Sequence, residues 1–162
     1  MALNKGKQWE AKVKEDFSKL PYSTIDRIYD TVNGLKGVSN ICDAIGFIGD
    51  PELDKGVMFY AECKSCKGNT FPLTNLTQYE KLASKVGIPG VRSGVFLWFI
   101  EHKTVIYVPA STITQMKKDG KKSVNIKMLD TDDYNIKVIP SITKRVFPEC
   151  DYSVLKELKI GE

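Results

Sequence analysis

Histidine is scarce in this sequence of 162 residues, which contains a single one, His102. A serine hydrolase triad and a multi-histidine zinc site are therefore both hard to build. Long apolar runs are also missing, since none approaches the roughly 18 residues that would span a bilayer. The first residues lack the pattern of a signal peptide, and no phosphate loop of the GxxxxGK type is present. We therefore expect a cytoplasmic protein with reduced thiols, no membrane partner and no nucleotide hydrolysis.

Charge of one sign is in only mild excess, with 24 Lys and Arg against 20 Asp and Glu, giving a net charge of +4. With 42% hydrophobic and 27% charged residues, the composition fits one globular domain over residues 1–162. The lysines form two groups, each of which is either a solvated surface or a set of phosphate contacts. The first group is Lys5, Lys7, Lys12 and Lys14, and the second is Lys117, Lys118, Lys121 and Lys122.

The cysteines do not indicate a metal or redox site. Cys63 and Cys66 are spaced like half of a zinc site, but Cys42 and Cys150 do not form a second closely spaced pair. We therefore interpret all four as reduced core residues. His102 falls in a predicted hairpin turn, where we expect it to be exposed to solvent.

The hydrophobic pattern predicts alternating helices and strands, and hence an α/β fold with a mixed central β-sheet flanked by helices. Helical spacing covers residues 7–20 and 74–86, and shorter helical patterns follow at 109–118 and 152–158. Strand patterns cover 24–29, 41–48, 57–64, 94–100 and 104–108, and weaker ones cover 124–128 and 136–142. Loops are predicted at 31–37, 49–56 and 65–70.

Glu62 and Lys64 are the residues whose spacing points most directly to chemistry. On a strand they lie on the same face, about 6.5–7 Å apart at the backbone. If the strand carrying Asp43 pairs with theirs, two carboxylates converge beside a lysine, which suits Mg²⁺ and a water molecule attacking a phosphate. An exposed surface pair of charges is the ordinary alternative. Asp50 or Asp54 would replace Asp43 if the strand register differs.

These residues resemble a known family. Asp43 and the run from Glu62 to Lys64, after a helix bearing Glu10, resemble the PD-(D/E)XK nuclease superfamily, which has a restriction-endonuclease-like core. The longer matches are similar to RecU-type Holliday junction resolvases. They run in order from near residue 4 to about residue 127, which leaves 130–162 as a C-terminal extension. The matching segments are Asn4-Lys5-Gly6, residues 67–73 with Asn75, Pro109-Ala110-Ser111 and Gly120-Lys121-Lys122-Ser123.

The resemblance implies a role for each matching residue. Asp43 and Glu62, with the backbone carbonyl of Cys63, would bind Mg²⁺, for which Mn²⁺ could substitute. Lys64 would position the attacking water, and Glu10 would support the metal shell. Gln78 resembles a helical glutamine near the site, although it lies closer to residues 71–73 than in the family. The implied DNA contacts are Lys5, Lys7, Arg27, Lys67, Lys121 and Lys122.

One of these implications leaves an alternative open, and at another point the chain departs from the family. Arg27 resembles an arginine that contacts the scissile phosphate in archaeal resolvases, but it could equally pair with Asp26 or Asp30. Only 15 residues separate Arg27 from Asp43, so the long basic stalk of RecU-type proteins has no counterpart.

The function implied by the resemblance is resolution of four-way DNA junctions by a homodimer, encoded by a phage in a bacterial host cell, by a mobile element or by the cell itself. The shortage of room for a stalk weakens the junction assignment more than the nuclease assignment. A restriction-like or repair nuclease acting on duplex or flap DNA is the first alternative. A DNA-binding protein that keeps the fold without cleavage is the second.

Overall fold

The computed structural model describes residues 5–28 and 40–159. The helices of these residues are α1 (Lys5–Phe17), α2 (Tyr79–Ala83) and α3 (Ala110–Lys118). The strands are β1 (Ser23–Arg27), β2 (Ala44–Asp50), β3 (Lys55–Cys66), β4 (Thr70–Pro72), β5 (Val91–Phe99), β6 (Thr104–Pro109), β7 (Ser123–Asn125), β8 (Lys137–Ile139), β9 (Ser141–Lys144) and β10 (Phe147–Cys150). Short 3₁₀ helices cover Leu73–Asn75, Ile126–Asp130 and Tyr152–Glu157.

The main sheet has six strands in the order β1-β2-β3-β5-β6-β8. The pair β3 and β5 is parallel, and every other neighbouring pair is antiparallel. The predicted α/β fold with a mixed central sheet is therefore confirmed. Two small antiparallel ribbons, β4 with β7 and β9 with β10, lie outside this sheet.

The two faces of the sheet carry separate apolar clusters. On one face, Trp9 and Phe17 of α1 pack with Phe59 and Phe96 and with Tyr152 from the C-terminal segment. On the other face, α2 and α3 cover β5 and β6. The C-terminal extension thus contributes Ile139, Cys150, Tyr152, Leu155 and Leu158 to the core, and its strand β8 forms one edge of the sheet.

The first helix and the central strands follow the sequence pattern. Trp9, Val13 and Phe17 are buried on one stripe of α1, which ends before Pro21. Strand β3 extends beyond the predicted residues 57–64 at both ends, and β2 continues to Asp50. The predicted turn 49–56 is therefore reduced to residues 51–54. The predicted loop 31–37 lies outside the described residues, as does the end of the strand predicted to reach Tyr29.

Other elements were predicted wrongly. The helix expected over 74–86 is a 3₁₀ turn followed by α2, and it ends before Gly87, whose φ of +82° an L side chain rarely adopts. Residues 124–128 are β7 followed by a 3₁₀ helix. Residues 136–142 divide into β8 and β9 at Pro140, since proline cannot donate a ladder hydrogen bond. The segment 152–158 is 3₁₀ rather than α-helical, and β4 and β10 were not predicted.

The thiols are consistent with the sequence analysis. All four cysteines are free, and Cys42, Cys63 and Cys150 are buried. No helix in the described part of the chain has the length and apolar character needed to cross a membrane. His102 is exposed in the turn between β5 and β6.

Candidate active site

Glu62 and Lys64 lie on the same face of β3, as strand alternation requires. The Lys64 Nζ is 2.7 Å from the Glu62 Oε2. The Glu62 side chain is completely buried, whereas the Lys64 side chain keeps 24% of its exposure. In a surface pair of charges both side chains are exposed. The burial of Glu62 therefore rules out the alternative that Glu62 and Lys64 are an ordinary surface pair.

Asp43 meets this pair from the segment just before β2. Its backbone N–H donates to the carbonyl of Ala61, at 3.1 Å, and Ala44 is in register with Ala61. The Asp43 Oδ2 accepts from the backbone N–H of Cys63, at 2.8 Å, and lies 3.7 Å from the Lys64 Nζ. The predicted convergence of two carboxylates and a lysine is therefore present, although Asp43 precedes the strand instead of lying within it.

The buried carboxylate of Glu62 is electrostatically costly. Neither of its oxygens has a partner with hydrogen-bond geometry among the described residues, so its interaction with Lys64 is an ion pair. Burial raises the pKa of Glu62 to about 7; the charge of Asp43 adds to the rise, and Lys64 opposes it. Burial opposes the charge of Lys64, but its interactions with Glu62 and Asp43 raise its pKa overall.

Glu10 approaches the site from α1. It forms an ion pair with Arg27 of β1, and both side chains are largely buried. Burial raises the pKa of the Cys63 thiol, and the charges of Asp43 and Glu10 raise it further. Glu10 therefore lies near the Cys63 side chain, which packs with α1 on the face of β3 opposite Glu62 and Lys64. Arg27 is paired with Glu10 instead of with Asp26, and the other proposed partner, Asp30, lies outside the described residues.

Gln78 is not hydrogen-bonded to this cluster within the described residues, and the turn aspartates lie away from it. Gln78 precedes α2 and accepts from the Thr77 hydroxyl at 2.6 Å; no hydrogen bond within the described ranges joins it to the carboxylates. Asp50 pairs in register with Lys55 at the far end of the β2–β3 hairpin. Six residues of strand separate Ala44 from Asp50, which is about 20 Å. This register makes neither Asp50 nor Asp54 a substitute for Asp43.

The lysines differ in their surroundings. Lys12 forms ion pairs with Glu15 and Asp16, and Lys14 with Asp26. In the second group, the Lys117 Nζ lies 3.4 Å from the centre of the Tyr79 ring. The implied DNA contacts Lys5, Lys7, Lys67, Lys121 and Lys122 are all exposed.

One positioning residue was not foreseen. Lys81 on α2 donates to the backbone carbonyl of Asn40, at 3.1 Å. This bond ties α2 to the segment that leads into Asp43, and so helps to fix where its carboxylate lies. A lysine in a helical pattern gives no sequence indication of such a contact.

The donor set fits a hard cation. Across residues 5–28 and 40–159, no group of three or more His, Cys, Asp or Glu side chains is arranged to hold a metal. The expected site needs only two carboxylates and a backbone carbonyl, because Mg²⁺ keeps several of its waters. The buried carboxylate oxygens of Glu62 have no hydrogen-bond partner among the described residues and lie beside Asp43. A bound cation would supply the partner that these oxygens need.

Comparison with known proteins gives matches among solved structures only. No protein-family model matches the chain, and no curated protein matches it significantly. Among solved structures, it is similar to Hjc, a Holliday junction resolvase from the archaeal hyperthermophile Archaeoglobus fulgidus, with a TM-score of 0.51 and 18% identity. The similarity covers 74% of this chain and 88% of that chain. At this identity it establishes the fold alone, so the RecU-type assignment and a phage origin stay predictions.

Proposed function

We propose that this protein is a Mg²⁺-dependent DNA endonuclease that hydrolyses phosphodiester bonds in branched DNA, as a Holliday junction resolvase. The observation that carries the proposal is the completely buried Glu62: among the described residues no backbone N–H donates to its carboxylate, which lies 2.7 Å from the Lys64 ammonium and beside a second acid, Asp43. A folded protein retains such a costly arrangement chiefly where it is used. The fold shared with an archaeal resolvase supports DNA as the substrate.

In this proposal, Asp43, Glu62 and the carbonyl of Cys63 hold Mg²⁺, or Mn²⁺ in its place. The ion would supply Lewis acidity toward the phosphate and lower the pKa of a bound water. Lys64 orients the attacking water through its ammonium donors and offsets negative charge that builds on the phosphate. Because Lys64 is only partly exposed and is held by two carboxylates, its position is fixed before substrate binds.

Arg27 and Glu10 act together beside this centre. Their ion pair fixes the Glu10 carboxylate near the strand that bears Glu62, where it supports the metal shell. We also propose that Arg27 contacts a phosphate next to the cut, because a guanidinium group binds phosphate oxygens well. The exposed lysines Lys5, Lys7, Lys67, Lys121 and Lys122 would contact phosphates farther out. The role of Gln78 stays a prediction: its amide oxygen accepts from the Thr77 hydroxyl, and no hydrogen bond among the described residues joins it to the carboxylates.

We also propose a homodimer. A four-way junction requires paired cuts in two strands, and the described residues of one chain carry a single Asp43, Glu62 and Lys64 cluster. Two chains related by a two-fold axis would present two sites symmetrically. Mixed dimers of the unmutated chain and Glu62→Ala should therefore nick one strand only. A monomeric mass at concentrations that cleave junctions would exclude this arrangement.

The activity is tested with a synthetic four-way junction, a flap and a linear duplex, each incubated with Mg²⁺ or EDTA. The unmutated protein should make paired symmetric cuts in the junction, and the Glu62→Ala variant should bind DNA without cutting. Equal cutting of linear duplex would instead identify a restriction-like or repair nuclease. Binding without any cleavage by the unmutated protein would show a DNA-binding protein and contradict the enzymatic role.

A further inference from the structure

Three loops meet at the end of the sheet where β3 and β5 finish. The β3–β4 loop carries Lys67, the β5–β6 turn carries Lys103, and the segment after β7 carries Lys127. All three lysines are exposed, and none forms an ion pair with a carboxylate of the described residues. We call Lys67, Lys103, Lys127 and His102 the lysine shelf. Only Lys67 has been considered above as a DNA contact.

Hydrogen bonds join the three loops into one unit. The carbonyl of Asn69 accepts from the backbone N–H of Ile126, at 2.9 Å, and the Asn69 side chain is hydrogen-bonded to the His102 ring. The Asn125 amide donates to the Thr70 hydroxyl, at 2.9 Å, and accepts from the backbone N–H of Lys127. The β5–β6 turn is tied to β3 by the N–H of Ile100, which donates to Cys66 at 2.9 Å. The loop backbones are thus ordered before any ligand arrives, which lowers the entropic cost of binding.

The surroundings of these lysines contrast with those of the lysines along α1. Lys12 and Lys14 are already paired with carboxylates. The acids next to the shelf along the chain, Glu101 and Asp130, are exposed, and neither forms an ion pair with it among the described residues. Free ammonium groups are available to displace counterions from a polyanion. Asparagine, threonine and histidine side chains beside them are suitable phosphate donors.

The position of the shelf relative to the carboxylate cluster indicates which part of a DNA substrate it would meet. Lys67 follows Lys64 by three residues at the end of β3, a separation of about 10 Å along an extended chain. That separation corresponds to about three base pairs of duplex, at about 3.4 Å per base pair. A duplex arm that reaches the carboxylate cluster would therefore bring phosphates a few nucleotides from the scissile bond near Lys67.

We propose that the lysine shelf binds the phosphate backbone of the duplex arm next to the cut, and contributes affinity without taking part in the chemical step. The inference rests on the proposed function for the identity of the ligand as DNA. It extends that function by assigning arm binding to Lys103, Lys127 and His102, which no sequence motif indicated.

The test is a salt titration of DNA binding in EDTA, with Glu62→Ala as the parent so that cleavage plays no part. Replacing Lys67, Lys103 and Lys127 together by alanine should lower the slope of log K against log salt by about 2.7, at about 0.9 per phosphate contact. At about 0.15 M salt this predicts a loss of affinity on the order of 100-fold. A separate His102→Ala variant should weaken binding by a smaller factor.

Two controls keep the result interpretable. Alanine replacements at Lys55, Lys144 and Lys156, which are exposed and lie outside the three loops, make the same change in charge and should leave the slope nearly unaltered. The triple Lys→Arg variant of the shelf should bind like the parent, which excludes an effect of misfolding. Equal slopes for the two alanine triples would overturn the shelf. Salt-dependent binding that the shelf triple reduces, in a protein that never cleaves DNA, would support the shelf while refuting the nuclease.

Discussion

Two completely buried carboxylates of the described residues, Asp16 on α1 and Glu62 on β3, have opposite surroundings. Asp16 accepts hydrogen bonds from the ammonium groups of Lys12 and Lys19, both at 2.8 Å. It also accepts from the backbone N–H of Cys150, at 2.9 Å, which attaches β10 to the first helix. Its desolvation is thus offset by three donors.

Glu62 is equally buried but has no such set of donors. Lys64 is its nearest cation, and its cross-strand neighbour is a second carboxylate, Asp43. A buried charge with an incomplete set of partners destabilises a fold, whereas a fully paired one ties segments together. The comparison teaches that the quality of pairing, and not burial, separates a structural acid from a candidate catalytic one.

The largest effect is expected for Glu62→Gln. The amide keeps the shape of the side chain but removes the charge that would hold Mg²⁺, so junction cleavage should fall by more than about 100-fold. Single-turnover cleavage measures this loss, and thermal unfolding with circular dichroism checks the fold. The variant should melt at or above the temperature of the unmutated protein at pH 7. A variant that unfolds would show that Glu62, like Asp16, is a structural residue.

Asp16→Asn should change stability instead of activity. The amide cannot accept from both lysines and from Cys150 as the carboxylate does, so the free energy of unfolding should fall by about 3 kcal/mol. Urea unfolding measures this, with Glu15→Gln as the control, since Glu15 is mostly exposed. Cleavage per folded molecule should be unaltered. A stable Asp16→Asn protein with impaired cleavage would reverse the roles assigned to the two acids.

The pH dependence of stability gives the next effect. The pKa of Glu62 is raised to about 7 in the folded chain, above its usual value of 4.5, so the folded state binds the extra proton. The contribution of Glu62 to stability is complete below about pH 4.5 and is lost as the pH rises through about 7, by on the order of 3 kcal/mol. In metal-free buffer, the stability difference between the unmutated protein and Glu62→Gln should therefore change over this range. A constant difference would contradict the raised pKa.

The smallest effect is expected when one cation is removed from Asp16. Lys19 is half exposed, and Asp16 keeps Lys12 and Cys150 as donors, so Lys19→Ala should cost less than about 1 kcal/mol. Urea unfolding again measures the difference. The matched change at the other acid, Lys64→Ala, removes the cation nearest to Glu62 and should abolish most cleavage. Similar consequences for the two lysines would remove the distinction between the sites.

The central strands and the first helix were predictable because their patterns are local. Alternation in β3 placed Glu62 and Lys64 on one face, and apolar spacing placed Trp9, Val13 and Phe17 on one stripe of α1. The second helix was predicted too long because its apolar spacing begins at Leu76, before α2, and continues to Val86, after α2 has ended at Ala83. Strand β10 was missed because Pro148 lies in it and its partner β9 is mostly exposed.

Some features of the candidate site were likewise predictable from the sequence, and others were not. The sequence placed Asp43, Glu62 and Lys64 together on the assumption that two strands pair, and the register of Ala44 with Ala61 bears out that placement. Their catalytic roles stay predictions, as does that of Glu10. The pairing of Glu10 with Arg27 could not be chosen from the sequence, because Asp26 lies closer along the chain.

The sequence by itself determined which residues share a strand face, because side-chain direction in a strand depends only on the alternation of the backbone. It also determined that Glu62 and Lys64 are neighbours. Only the tertiary structure decided which acids are buried and which of these are paired. Asp16 is satisfied by Cys150, 134 residues away, and Glu62 is buried on a strand that lies between β2 and β5. Burial and pairing are sums over contacts distant in sequence, and no local pattern specifies them.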